Sequence, residues 1–185
     1  MRMSDEGKPL SPEHIFKRVI WRSILAVGAV LEQSTTWTIT GVAAILALLM
    51  SNIGAINKVI PLASLRVALV LFTFSLLIAI ISKQFGMGIA NGLKTINELE
   101  RVLYSEEGKR LVFDMKTDGS QLFRELAEPF WWPFSKVFRK AGEKGLSDYL
   151  AGEKRLIKFL NWQIYLNVLH WLLAGVALLV LAFSV

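Results

Sequence analysis

The chain has 185 residues, 54% of them hydrophobic, and a mean hydropathy of +0.47, above the range of ordinary soluble domains. Lys and Arg number 21 against 15 Asp and Glu, a net charge of +6. In so apolar a chain this balance points to cations retained beside a membrane, and no nucleic-acid partner is expected. The lack of cysteine excludes disulfides, thiolate nucleophiles, Cys-ligated zinc and iron–sulfur clusters.

Met1 to Leu10 is polar, and the first fourteen residues carry both charge signs and no apolar h-region, so a cleaved signal peptide is not expected. Ser11-Pro12-Glu13 reads as a helix start: Ser is a favoured N-cap, Pro fits the first helical position, and an acid suits the dipole. Ile15, Phe16, Val19, Ile20 and Ile24 recur at helical spacing, with Lys17, Arg18 and Arg22 toward the other side and Trp21 among them. That pattern fits a helix lying in the headgroup plane, or an amphipathic helix packed on the protein's own cytoplasmic part. The apolar run Ser23 to Leu31 is too short to cross, and Glu32-Gln33 interrupts it, leaving open a fourth pass there.

No charge falls between Gln33 and Asn57, and Trp37 stands at the entrance like an interfacial anchor. The first span is placed at about residues 36–56. Ala43, Ala47 and Ser51 form overlapping small-xxx-small pairs, which let helix backbones approach closely. After a turn at Asn57, Lys58 and Pro61, residues 62–82 form the second span. Arg66, one turn inside it, either snorkels to the headgroups or pairs with the terminal carboxylate of Val185.

Residues 83–160 are read as a cytoplasmic, basic and aromatic helical insertion. Gly86-x-Gly88 lacks both the third glycine position and the preceding strand of a dinucleotide fingerprint. Gly88 and Gly92 fit G-x-x-x-G helix packing instead, with a hinge as the alternative. Leu93, Ile96, Leu99 and Leu103 resume a helical stripe, and the alternation of Leu111, Phe113 and Met115 before Thr117-Asp118-Gly119-Ser120 suggests a small hairpin. Phe130-Trp131-Trp132-Pro133-Phe134, with Phe138 and the cations Lys136, Arg139 and Lys140, is the most aromatic patch in the chain. Headgroup-level aromatics beside cations are favoured over stacking on single-stranded nucleic acid, and a cytoplasmic hydrophobic core is a third option. Residues 141–160 hold a ten-residue near-repeat, too short for a solenoid.

From Asn161 to Val185 there is no charged side chain, and an α-helix of that length reaches about 37 Å against a hydrocarbon core of about 30 Å. The chain is expected to be held in the bilayer by this C-terminal helix. Five cations precede the first span, Lys58 stands alone between the first and second spans with Arg66 just inside the second, and fourteen lie from Lys83 to Lys158. The positive-inside rule then puts the N-terminus and residues 83–160 in the cytoplasm, with the 57–61 turn and Val185 outside. A cytoplasmic (inner) membrane of the bacterial kind is the expected location.

Within the third span Gln163, Asn167 and His170 lie on one helical face, and Thr73 of the second span should reach a similar depth. This polar track either binds a proton or lines a pore, or it fixes packing by interhelical hydrogen bonds. No zincin, Walker, nucleophile-elbow or EF-hand pattern is present, and two histidines without cysteine do not suit a transition-metal site, so neither an enzyme nor a cofactor is expected.

The expected fold is thus an all-α integral membrane protein with three transmembrane helices, an amphipathic N-terminal helix and the cytoplasmic helical insertion between spans two and three. Its segments are residues 1–35, the hairpin 36–82, the insertion 83–160 and the last span 161–185. The expected function is a non-enzymatic membrane subunit or anchor, a homo-oligomer or part of a larger complex. Its basic, aromatic-rich region would meet a protein partner or lipid headgroups. A small oligomeric pore and a membrane immunity protein are the alternatives.

Overall fold

A computed structural model describes residues 12–114, 118–148 and 150–184. The described chain is helical, with no strand. Three of its helices are long and apolar enough to cross a membrane: α1 (Pro12–Ser51), α3 (Leu62–Leu103) and α7 (Ala151–Ala182). The short helices are α2 (Ile53–Ile56), α4 (Glu106–Asp114), α5 (Gly119–Ala127) and α6 (Phe134–Ser147).

Helix α1 is continuous over 40 residues, about 60 Å of rise. There is no turn between the amphipathic N-terminal stretch and the expected first span, so Ser23 to Leu31 belongs to the same helix. The polar pair Glu32-Gln33 does not break it, because both residues are good helix formers. At the helix end Leu48 O accepts the Asn52 N–H at 3.2 Å together with Ser51 Oγ and Asn52 Nδ2, at 3.2 and 3.0 Å. Helix α3 begins after Pro61 and runs 42 residues, through the expected end at Ser82 and through Gly86, Gly88 and Gly92 without a hinge.

The expected hairpin is instead two helices. Ser105 Oγ accepts the Gly108 N–H at 3.0 Å, a side-chain cap that starts α4, and Glu106 and Glu107 in the first turn suit its dipole. Residues up to Asp114 are helical, as are those from Gly119, and Met115, Lys116 and Thr117 lie outside the described residues. The first copy of the near-repeat runs from the end of α6 toward α7, which the second copy opens. Between them Asp148 Oδ1 accepts the Leu150 N–H at 3.0 Å, and its carboxylate also takes a bond from Lys154.

The chain divides into two compact units, to each of which the three long helices contribute residues. The charged unit comprises Met1–Ser23 and Gly92–Leu156. In it Arg18 and Arg22 do not form a solvated basic face. Arg18 Nε donates to Glu153 Oε1 at 2.8 Å and Arg18 also pairs with Glu100; Arg22 Nη2 donates to Glu100 at 2.8 Å and lies 3.5 Å from Glu153. The Glu153 side chain is only 3% exposed, so its charge is compensated inside the protein rather than by water. Elsewhere in this unit α5 packs on α6, with Gly142 so close to Phe123 that a Cβ would come within 2.3 Å of the ring.

The apolar unit comprises Ile24–Asn91 and Ile157–Val185. Its buried positions on α3 are Leu65, Ala68, Phe72, Ser75, Ala79, Ser82, Gly86 and Ile89, alternating in steps of three and four. On α1, Gly28, Thr35, Val42 and Leu49 recur every seven residues, and on α7 Leu160, Gln163, Asn167, His170 and Ala177 follow the same rule. This is the heptad spacing of left-handed helix packing, with small residues on α3 allowing close approach. Pairing of Gly28 and Thr35 with Gln163 and Asn167 makes α1 parallel to α7, and pairing of Ser82 and Ser75 with Gln163 and His170 makes α3 antiparallel to it. One end of the unit is an apolar cluster of Val42, Leu49, Leu65, Phe72 and Ala177.

Candidate functional site: a polar seam inside apolar helices

Gln163, Asn167 and His170 are each exposed by 1% or less, on the buried edge of α7, as their i, i+4, i+7 spacing implies. The structure brings them together with three residues that hydropathy alone did not single out: Thr35, Ser75 and Ser82, all fully buried. The readable signal was the seven-residue interval, since Ser75 and Ser82 are one heptad apart, as are Gly28 and Thr35.

Ser75 Oγ donates to the His170 carbonyl at 3.0 Å and lies 2.6 Å from His170 Nδ1, which is 3.0 Å from the Ser75 carbonyl. A carbonyl only accepts, and the single Ser75 proton is committed to His170 O. In a neutral ring this arrangement puts the proton on Nδ1 and leaves Nε2 as the lone pair. Ser82 Oγ donates to the Gln163 carbonyl at 3.1 Å, and Gln163 Nε2 donates to Gly28 O at 3.3 Å. Thr35 Oγ1 lies 2.7 Å from both Leu31 O and Asn167 Oδ1. Gln163 Oε1, Asn167 Nδ2 and His170 Nε2 have no hydrogen-bond partner among the described residues. Left without a water or another partner, each such atom would cost about 1–3 kcal/mol.

Glycine makes room for the Gln163 amide. A Cβ on Gly86 would sit 2.8 Å from Gln163 Nε2 and 3.3 Å from Glu32 Cβ, and one on Gly28 would be 3.5 Å from Gln163 Oε1. A Cβ on Gly88 would be 3.6 Å from the Phe159 ring, an ordinary contact, whereas one on Gly92 would be 2.5 Å from Leu156 Cδ2. Thr73 does not join the seam. It is exposed, its hydroxyl turned back to the Leu69 carbonyl at 2.8 Å, and Ser75, some 200° around the helix, takes the place expected of it. Ala43, Ala47 and Ser51 are also exposed, because the larger Val42 and Leu49 occupy the inward positions of α1. Arg66 is exposed, and the expected partner carboxylate of Val185 lies outside the described residues.

In the charged unit, the connection between α5 and α6 and the first turns of α6 form an exposed elbow. Trp131 and Trp132 are 78% and 69% exposed, and Phe130, Phe134 and Phe138 are open as well. Phe130 stacks on Phe138 with ring centroids 5.2 Å apart, which fixes the elbow without burying it. Lys136, Arg139 and Lys140 are exposed beside the rings. The elbow is thus no part of a cytoplasmic hydrophobic core. No group of three or more His, Cys, Asp or Glu placed to hold a metal occurs among the described residues. Comparison with protein-family models, curated proteins and solved structures finds no match to this chain.

Proposed function

We propose that the chain is an integral membrane protein crossing the bilayer through α1, α3 and α7, with its N-terminus and the region between α3 and α7 in the cytoplasm. It acts as a subunit or anchor rather than as an enzyme, assembling through its helices and presenting the 130–140 elbow as its docking element. The observation that carries this reading is the surface of the apolar unit, which is covered by large apolar side chains while six polar side chains share the interior with its apolar core. Thr35, Ser75, Ser82, Gln163, Asn167 and His170 are inside, while Val67, Val70, Phe74, Leu77, Leu172 and Leu179 are outside. In water that arrangement exposes the groups that drive folding and buries those that oppose it; in lipid it satisfies both.

The test uses the absence of native cysteine. Lys58→Cys in the turn and Gly145→Cys at the end of α6 are labelled in intact vesicles with a membrane-impermeant maleimide. Labelling of position 58 from outside and of 145 only after permeabilisation is expected. A chain that stays monodisperse in buffer without detergent, or labelling of both positions from one side, overturns the proposal.

A second reading keeps the same insertion but makes the seam a conducting track, and the orphaned polar atoms of Gln163, Asn167 and His170 favour it. Proton or cation flux in reconstituted liposomes, abolished by His170→Ala, would support it. A stoichiometric companion chain in the intact complex, without flux, would favour the subunit.

A further inference from the structure

We propose that the elbow docks on an anionic phospholipid surface, its aromatic rings at the headgroup–acyl boundary and Lys136, Arg139 and Lys140 against the lipid phosphates. The inference rests on the reading of the chain as a membrane protein and names the partner of its docking element.

Three observations carry it. First, the apolar side chains are presented, not hidden: Trp131, Trp132, Phe134 and Val137 are all half or more exposed, a patch that a chain in water would be expected to cover. Second, the composition suits a headgroup layer. Trp and Phe occupy the apolar boundary, Lys and Arg reach the phosphates, and α6 carries Lys136, Arg139, Lys140 and Lys144 against a single acid, Glu143. Arg139 comes within 3.7 Å of Glu143, an exposed contact of the weak kind that a phosphate can replace. Third, the occupant is already at hand. A segment tethered to a bilayer meets lipid at a high effective concentration, so weak contacts summed over one short helix suffice, whereas a soluble acidic partner would have to be captured from dilute solution.

The test places the full chain in nanodiscs of phosphatidylcholine, with or without phosphatidylglycerol. A single environment-sensitive probe sits at Val137→Cys, on the exposed aromatic side of α6, or at Leu172→Cys, on the exposed face of α7. Doxyl or brominated acyl chains act as quenchers. In anionic discs the probe at 137 is expected to be blue-shifted and quenched. Neutralising all three cations (Lys136→Gln, Arg139→Gln, Lys140→Gln) is expected to shift it toward water by about 100-fold in partition, from roughly 1 kcal/mol per cation. High salt should act in the same direction. A probe at 137 that stays in water in both disc types, or is quenched equally in both, overturns the inference while a lipid-quenched probe at 172 leaves the underlying reading standing. The first of these outcomes would point to a protein partner for the elbow. If the probe at 172 is itself unquenched by lipid, the membrane reading falls, and the inference with it.

Discussion

Replacing Glu153 with Gln tests the packing of the charged unit most directly. Glu153 is 3% exposed at its side chain, receives Arg18 Nε at 2.8 Å and faces Arg22 Nη2 at 3.5 Å. Gln keeps the shape and removes the charge, leaving two arginines with one carboxylate, Glu100, between them. Deleting one partner of a fully buried ion pair costs about 3–5 kcal/mol. Arg18 and Arg22 are 17% and 30% exposed and Glu100 remains, so solvent and the surviving acid reduce the loss to about 2–3 kcal/mol. For a chain of this size that lowers Tm by roughly 4–12 °C. The assay is thermal unfolding in detergent of wild type, Glu153→Gln, Arg18→Gln and the double variant. The singles are expected to lose stability and the double to lose less than their sum, because the cycle isolates the shared interaction. Lys154→Gln, which removes only an exposed contact to Asp148, serves as control and should change stability by less than about 0.5 kcal/mol. An unchanged Tm for Glu153→Gln, or strict additivity in the double, would refute the ion cluster as a structural element.

Gly86→Ala should destabilise by up to about 2 kcal/mol, from a loss of about 1–3 kcal/mol less the helix-propensity gain. Its Cβ displaces the Gln163 amide from Gly28 O, and that loss outweighs the roughly 1 kcal/mol gained in helix propensity. Gly175→Ala, with nothing within 4 Å of the new methyl, should instead be neutral or stabilising in the same unfolding assay. Thr35→Val leaves Asn167 without its buried partner and should cost about 1–3 kcal/mol, whereas Thr35→Val with Asn167→Leu should recover most of that, because a pair of apolar groups leaves no orphan. Asp148 is held below the ordinary aspartate value of 3.8, chiefly by the Lys154 hydrogen bond and then by the Leu150 N–H. A depressed folded value means that its stabilisation is complete above 3.8 and is lost as pH falls below it. Its carboxyl carbon shift in NMR should therefore titrate with a midpoint below 3.8, and Lys154→Gln should move that midpoint upward.

What the amino-acid sequence determined by itself was the coarse pattern that depends on one helix at a time, though not every boundary: α3 runs past Ser82, and α4 and α5 replace the expected hairpin. The three apolar segments, the turn at Asn57 to Pro61, and the spacing of Gln163, Asn167 and His170 are local patterns of hydropathy, and three long apolar helices with that turn between the first two are what the structure shows. At Gly92 a missing side chain leaves room for Leu156, the kind of close approach a glycine can mark whatever its neighbour. Only the tertiary structure decided what faces what. Thr73 and Ser75 differ by two residues and by about 200° of rotation, so placing the seam required the orientation of α3 against α7. Arg18 and Arg22 read as a headgroup face because their acids, Glu100 and Glu153, are 78 to 135 residues away. Ala43, Ala47 and Ser51 look made for packing, yet Val42 and Leu49 hold the inward positions of α1. A helix offers several faces at three- and four-residue spacing, and its own sequence cannot say which of them a second helix will cover.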